Sequence, residues 1–168
     1  MIPLLQAQES GILLAFYAQD VAEVVLCPTL QPEPNPDTVV EGYMKLEKNW
    51  IPVIPLARVL GLPDREVGMF DALIISKDSH PWALRVGEVT GVTQCHWDDL
   101  KPVSGASEGN PGLAAHLQSD KGLTSVLILP QLLLECERLQ MEEQLRLLEN
   151  RKNRASRLPA KEPSDSDF

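Results

Sequence analysis

The sequence predicts a mainly β protein of small closed barrels followed by one helix, and three observations carry that prediction. Short apolar or alternating runs recur across residues 2–129, separated by turn-forming residues. Prolines occupy two positions of one such run, Pro52 and Pro55, where a strand inside a flat sheet would lose ladder bonds. Residues 131–153, in contrast, are almost all good helix formers. Many short strands with frequent turns are satisfied by barrels, which remove exposed edges.

The chain opens with strands at 2–6 and 12–16 around the turn Glu9-Ser10-Gly11. Residues 19–25 follow as a short helix or bent strand. Pro28, Pro32, Pro34 and Pro36 then make the stretch to Asp37 an extended surface loop. In the next hairpin, 43–46 is apolar, Glu47-Lys48-Asn49 is a polar break, and 50–56 resumes with β-branched residues. Because Pro52 and Pro55 lack an N–H, this second strand must lie at an edge, carry a bulge or bend round a barrel corner. Ile51 and Val53 face one side while Trp50, Ile54 and Leu56 cover the other, so both faces should be buried.

Residues 56–60 make one or two helical turns stopped by Gly61 and Pro63, and 64–69 form a linker. A further hairpin is expected from 70–76 and 82–86, then an extended run to Trp97 and a mobile Gly, Ser and Pro rich connection at 102–112. Residues 113–117 and 123–129 pair as the last hairpin. Pro130 suits the first position of a helix over 130–153, and the polar tail 154–168 is expected to be disordered. Leu134, Met141, Leu145 and Leu148 form one apolar stripe, and Leu132, Cys136 and Leu139 a second line near the start. The first three turns would dock on the barrel and the later turns project. The stripe is read as packing on its own domain, with self-association through the helix as the alternative.

A chain of 168 residues with 43% hydrophobic content fits one domain, or two small lobes sharing a core. Its net charge of −9 opposes binding to nucleic acid or anionic membranes. No window approaches the ~20 apolar residues of a membrane span, and a cytoplasmic protein is expected. Cys27, Cys95 and Cys136 are widely spaced and read as reduced thiols. His80, His96 and His116 have no metal-ligand spacing, and no nucleotide or nucleophile-elbow motif is present, so neither metal nor cofactor is expected. Cys95-His96 with Asp98 and Asp99 suggests a nucleophile, base and orienting carboxylate, the pattern of a small Cys-dependent hydrolase. Adjacent strand residues point to opposite faces, however, so a buried thiol and a surface imidazole are the favoured reading and no enzyme is expected.

Four ordered segments resemble the CheW-like coupling domains of bacterial chemosensory arrays. Residues 42–56 (GYMKLEKNWIPVIPL) align without a gap to the family's approximate pattern G-x-x-N-L-R-G-x-V-x-P-V-I-D-L, matching at Gly42, Leu46, Pro52, Val53, Ile54 and Leu56. Residues 15–25 are similar to its A-L-P-V-x-x-V-x-E-V stretch, with Val21, Glu23 and Val24 in register. Residues 82–92 resemble its G-L-x-V-D-x-V-x-G-V strand pair, and 122–133 its closing L-V-L-L-L-D-L-x-x-L-L. The resemblance implies two intertwined five-stranded SH3-like barrel lobes over residues 1–135.

It also implies a non-enzymatic adaptor that couples methyl-accepting chemoreceptors to the regulatory domain of a CheA-like histidine autokinase, in chemotaxis or twitching motility. Val21, Glu23 and Val24, beside the groove between lobes, and Tyr43 and Leu46 near the hairpin are the implied partner-binding residues. Their plain reading is a core role for the apolar side chains and a solvated carboxylate for Glu23. The family's Arg-Gly at the hairpin tip is replaced by Glu47-Lys48, and its recurrent Asp by Pro55, Gly87 and Pro130. A carboxylate accepts where a guanidinium forks, so the complementary patch on a receptor should differ, as in a divergent accessory protein of a pili-type system. The remaining alternative is a stand-alone SH3-like module that binds a peptide through the 28–36 face.

Overall fold

The computed structural model describes residues 1–103 and 112–157. Its strands are β1 (Ile2–Glu9), β2 (Ile12–Tyr17), β3 (Val21–Leu26), β4 (Gln31–Pro32), β5 (Gly42–Leu46), β6 (Asn49–Pro55), β7 (Ala72–Ser76), β8 (Ala83–Val86), β9 (Glu88–Cys95), β10 (Leu100–Pro102), β11 (Leu113–Ser119) and β12 (Gly122–Leu127). Helices α1 (Leu56–Val59) and α2 (Glu135–Arg157) complete the fold. One sheet runs β10-β11-β12-β2-β1-β9 and the other β3-β7-β8-β6-β5-β4. In each sheet the two outermost strands are neighbours in sequence, joined by residues 96–99 or 27–30. A four-residue link spans at most roughly 18 Å, whereas six flat strands at ~4.8 Å spacing hold their outer members ~24 Å apart. Each sheet therefore curls into a lobe.

The lobes interleave, because β12 returns to pair in parallel with β2, from Ser125↔Leu14 to Leu127↔Phe16. The expected five strands per lobe become six: the proline loop contributes the two-residue β4, and the three-residue β10 pairs with β11. The prolines of β6 mark a barrel corner. This strand pairs antiparallel with β5 from Asn49 to Val53 and parallel with β8 from Val53 to Pro55.

Period-two alternation sorts side chains into three cores. Ile2 and Leu4 of β1 fill the first lobe with Ala15, Leu117 and Val126, while Leu5 and Ala7 face the other lobe. Ile51 and Val53 fill the second lobe with Leu73 and Ile75, while Ile54 and Leu56 join the seam between lobes. The seam core gathers Phe16, Ile74, Trp82, Leu84 and Leu127 from both sheets.

The C-terminal helix departs from expectation in bounds and in docking. Pro130 lies in a single 3-10 turn, Leu129–Gln131, and α2 begins only at Glu135 and runs through Arg157. Leu132 and Leu133 of the intervening connection are themselves buried in the seam, which delays the helix start. The later turns lie on the barrel: Met141 and Leu148 are buried and Leu145 packs against them, whereas Cys136 and Leu139 are exposed. The Val39 N–H donates to Gln140 Oε1 at 3.4 Å, tying α2 to the loop before β5. Of the apolar stripe, Met141, Leu145 and Leu148 thus pack on the chain's own core, while Leu134 is exposed. Among the described residues no helix is long and apolar enough to cross a membrane. Most of the 102–112 connection, and the tail from residue 158, lie outside the described residues.

Candidate partner-binding surface

The seam core comes to the surface at the outer strands. Among the strands, β3 pairs only with β7, placing Val24 opposite Ile74 and Leu26 opposite Ala72. Ile74 and Ala72 belong to the seam, so Val24 and Leu26 carry the seam face out past the sheet edge, where they are 37% and 73% exposed. Val21 packs partly against the same core, and Glu23 between them is exposed. On the other sheet, β9 adds Val89, also packed against the seam, and Val92, which lies opposite seam residue Leu5 yet is 63% exposed. Val21 and Val24 thus lie on the seam face of β3, whereas Glu23, opposite Ile75 of the second-lobe core, lies on the other face of the strand.

Tyr43 does not belong to that rim. It is 1% exposed inside the seam core, and its hydroxyl donates to Glu33 Oε2. Burial, then the Glu33 hydrogen bond and charge, hold its phenol well above the usual tyrosine range. Tyr43 is a core side chain. Leu46 is half-buried against the interior of the second lobe, beside an exposed hairpin tip of Glu47 and Lys48. Glu47 holds a left-handed φ of 56°, so the tip turns tightly.

Sequence reasoning missed two features. One is a run of apolar residues in the linker before β7: Val67, Met69 and Phe70 are all exposed and lead into Ala72, the partner of Leu26. Three large hydrophobics in a loop were the available signal. The other is an ion network that fixes this linker. Arg65 forks onto Glu9, Nε to Oε2 and Nη2 to Oε1 both at 2.7 Å, and its Nη1 reaches Asp71 Oδ2 at 2.9 Å. Arg85 Nη1 donates to the same Asp71 oxygen at 2.5 Å, and its Nε and Nη2 reach Glu41 at 2.5 and 3.0 Å. Burial pushes the Glu9 carboxyl up, but the Arg65 and Ser10 hydrogen bonds and the charges of both arginines outweigh it and hold it below the usual range. The network joins the end of β1 in one lobe to the mouth of the other.

The residues of the catalytic alternative do not converge. Cys95 is buried in the first lobe's core, where burial and then the Asp99 charge push its thiol up, and His96 is exposed. Asp99 Oδ2 instead accepts from the His96 backbone N–H at 3.1 Å.

The molecule is thus a pair of interleaved barrels with compensated buried charge and exposed apolar edges. The structure is similar to the "Crystal structure of scaffolding protein TtCheW from Thermoanaerobacter tengcongensis", with a TM-score of 0.67 at 20% identity over 75% of this chain and 88% of that one. At that identity the likeness establishes the fold. The family model of the CheW-like domain matches residues 5–137, and the chain belongs to the CheW-like domain family. No curated protein sequence matches it. The family match ends three residues into α2.

Proposed function

We propose that this chain is a non-enzymatic adaptor that couples chemoreceptors to the regulatory domain of a histidine autokinase in a bacterial chemosensory array. Family membership over residues 5–137 supports the class of activity. The single observation that carries the site is the emergence of the seam core at β3, where Val21, Val24 and Leu26 form an apolar edge with Glu23 exposed on the strand's other face. Apolar anchors beside one charge suit a helical receptor tip: the valines supply area, and the carboxylate selects a cation. Residues 1–135 act as the coupling domain, and the helix and tail are an extension of it. The mechanism is positional. Holding two partners on one rigid frame raises their effective concentration and passes on a change in orientation.

Glu47 at the hairpin tip adapts the chain to a receptor other than the ordinary kind, as in an accessory protein of a twitching-motility system. Titrating the chain with purified receptor tip and with kinase regulatory domain tests the reading. Val24→Asp should weaken receptor binding about tenfold or more and leave kinase binding in place. Glu47→Arg should tighten binding to ordinary receptor tips. A chain that binds neither partner is not a coupling adaptor.

A further inference from the structure

We infer that the cleft beside Trp50 is a docking site for an acidic, extended peptide segment of a partner protein, on a surface separate from the β3 rim. The cleft encloses about 410 Å³ and is walled by Pro28, Leu30 and Pro32 on one side and Tyr43, Lys45 and Trp50 on the other. Trp50 is half-buried, and two exposed cations flank its ring: Lys45 Nζ lies 5.7 Å and Lys152 Nζ 5.0 Å from the centroid. Lys48 of the hairpin turn and Arg151 of α2 are exposed as well. The carboxylates beside this cluster are Glu33, which already accepts the Tyr43 hydroxyl, Glu47 of the hairpin turn, and Glu149 one turn before Lys152 on α2. Four cations against these three anions leave a local positive excess in a chain of net charge −9. Among the described residues none of the four cations is in a salt bridge.

The origin of this cluster sets it apart from the shared fold. Arg151 and Lys152 stand on turns of α2 beyond residue 137, where the family match ends. Buried Met141 and Leu148 clamp that helix to the seam, so the two cations are held in place instead of swinging freely. Pre-organised cations bind at lower entropic cost than free ones. The prolines of the opposite wall have no N–H, so main-chain strand addition is poor there and side chains must do the recognising. Trp50 and Leu30 accept an apolar or prolyl residue, while the lysines take carboxylates on either side of it. A nucleic acid would also offer negative charge and stacking, but four cations do not offset the repulsion of the remaining acidic surface.

The test uses the full chain and a short fluorescein-labelled peptide with Asp and Glu on both sides of a central Pro-Leu-Pro, followed by anisotropy. Saturable binding is expected, weakened about tenfold in the Lys45→Glu, Lys152→Glu double variant and further by added salt. Circular dichroism of the double variant should match the parent. A peptide with Lys in place of Asp and Glu should not bind. The proposal is overturned if the acidic peptide fails to saturate, if the double variant binds it unchanged, or if an oligothymidylate of equal charge displaces it at lower concentration. Receptor-tip affinity of the same variant, expected to be unchanged, separates failure here from failure of the adaptor reading.

Discussion

Arg85 is almost wholly enclosed and keeps its charge only because Asp71 and Glu41 close round it at hydrogen-bonding distance. Removing one partner of a buried pair strands the others, so Arg85→Ala should cost about 3–5 kcal/mol, read as a lower midpoint in urea unfolding. Glu9 makes a second statement at this scale. Its folded pKa is depressed, so its contribution is complete above the unfolded carboxylate value near 4.5 and disappears as pH falls through the folded value. Unfolding midpoints should therefore drop below about pH 4.5, and less so in Glu9→Gln. Gly42 is one of the positions that matched the family pattern, and the structure gives a physical reason for a glycine there. A Cβ there would stand 2.7 Å from the Gln31 carbonyl oxygen and 3.2 Å from Leu30 Cβ. Gly42→Ala should lose about 1–3 kcal/mol by pushing β4 away, which calorimetry would register. The ion network was not legible, since Arg65 and Glu9 are 56 positions apart and no local pattern joins them.

At the scale of elements, strands were easier to read than the docking of the helix. Alternation in β1, β2 and β6 records which side of each strand meets apolar neighbours, and the β6 prolines required an edge, a bulge or a corner, of which the structure has the corner. For α2, two apolar lines competed, and helical periodicity alone does not say which meets a barrel. Leu132 and Leu133 filled the seam before the helix began, which left Leu139 facing water and handed the contact to Met141 and Leu148. Paired substitutions separate the two lines. Met141→Ala should cost about 2–5 kcal/mol, and Leu139→Ala should stay within about 0.5 kcal/mol, both from denaturant curves. Equal effects would mean that the helix sits otherwise. The resemblance grouped Val21, Glu23 and Val24, which share strand β3 though not one face of it, and it did not place Tyr43. An aromatic residue bearing one polar group fits a rim or a core equally well until its hydroxyl finds a partner such as Glu33.

For the molecule as a whole, the distribution of core residues decides how the lobes behave. Among the described residues, the seam holds 20 buried side chains, against 8 in the first lobe and 6 in the second. Neither lobe keeps a substantial core once separated, so heat or denaturant should unfold both in a single transition seen alike by near-ultraviolet and far-ultraviolet dichroism. Phe16→Ala, at the seam, should shift both signals together by about 3–5 kcal/mol. A second lobe that persists after the first is lost would contradict this.

The parallel pairing of β12 with β2 reaches into biosynthesis. The second lobe is encoded without interruption from β3 to β8, whereas the first waits for a strand that ends at Leu127. A nascent chain that has reached β8 holds every strand of the inner lobe, but its seam still lacks Leu127, Leu129, Leu132, Leu133, Met141 and Leu148, and β1 and β2 remain without their closing neighbour. Translation arrest after β8 should therefore leave the chain open to protease throughout, and the apolar face of the N-terminal hairpin is a stretch that a chaperone would need to shield until synthesis ends.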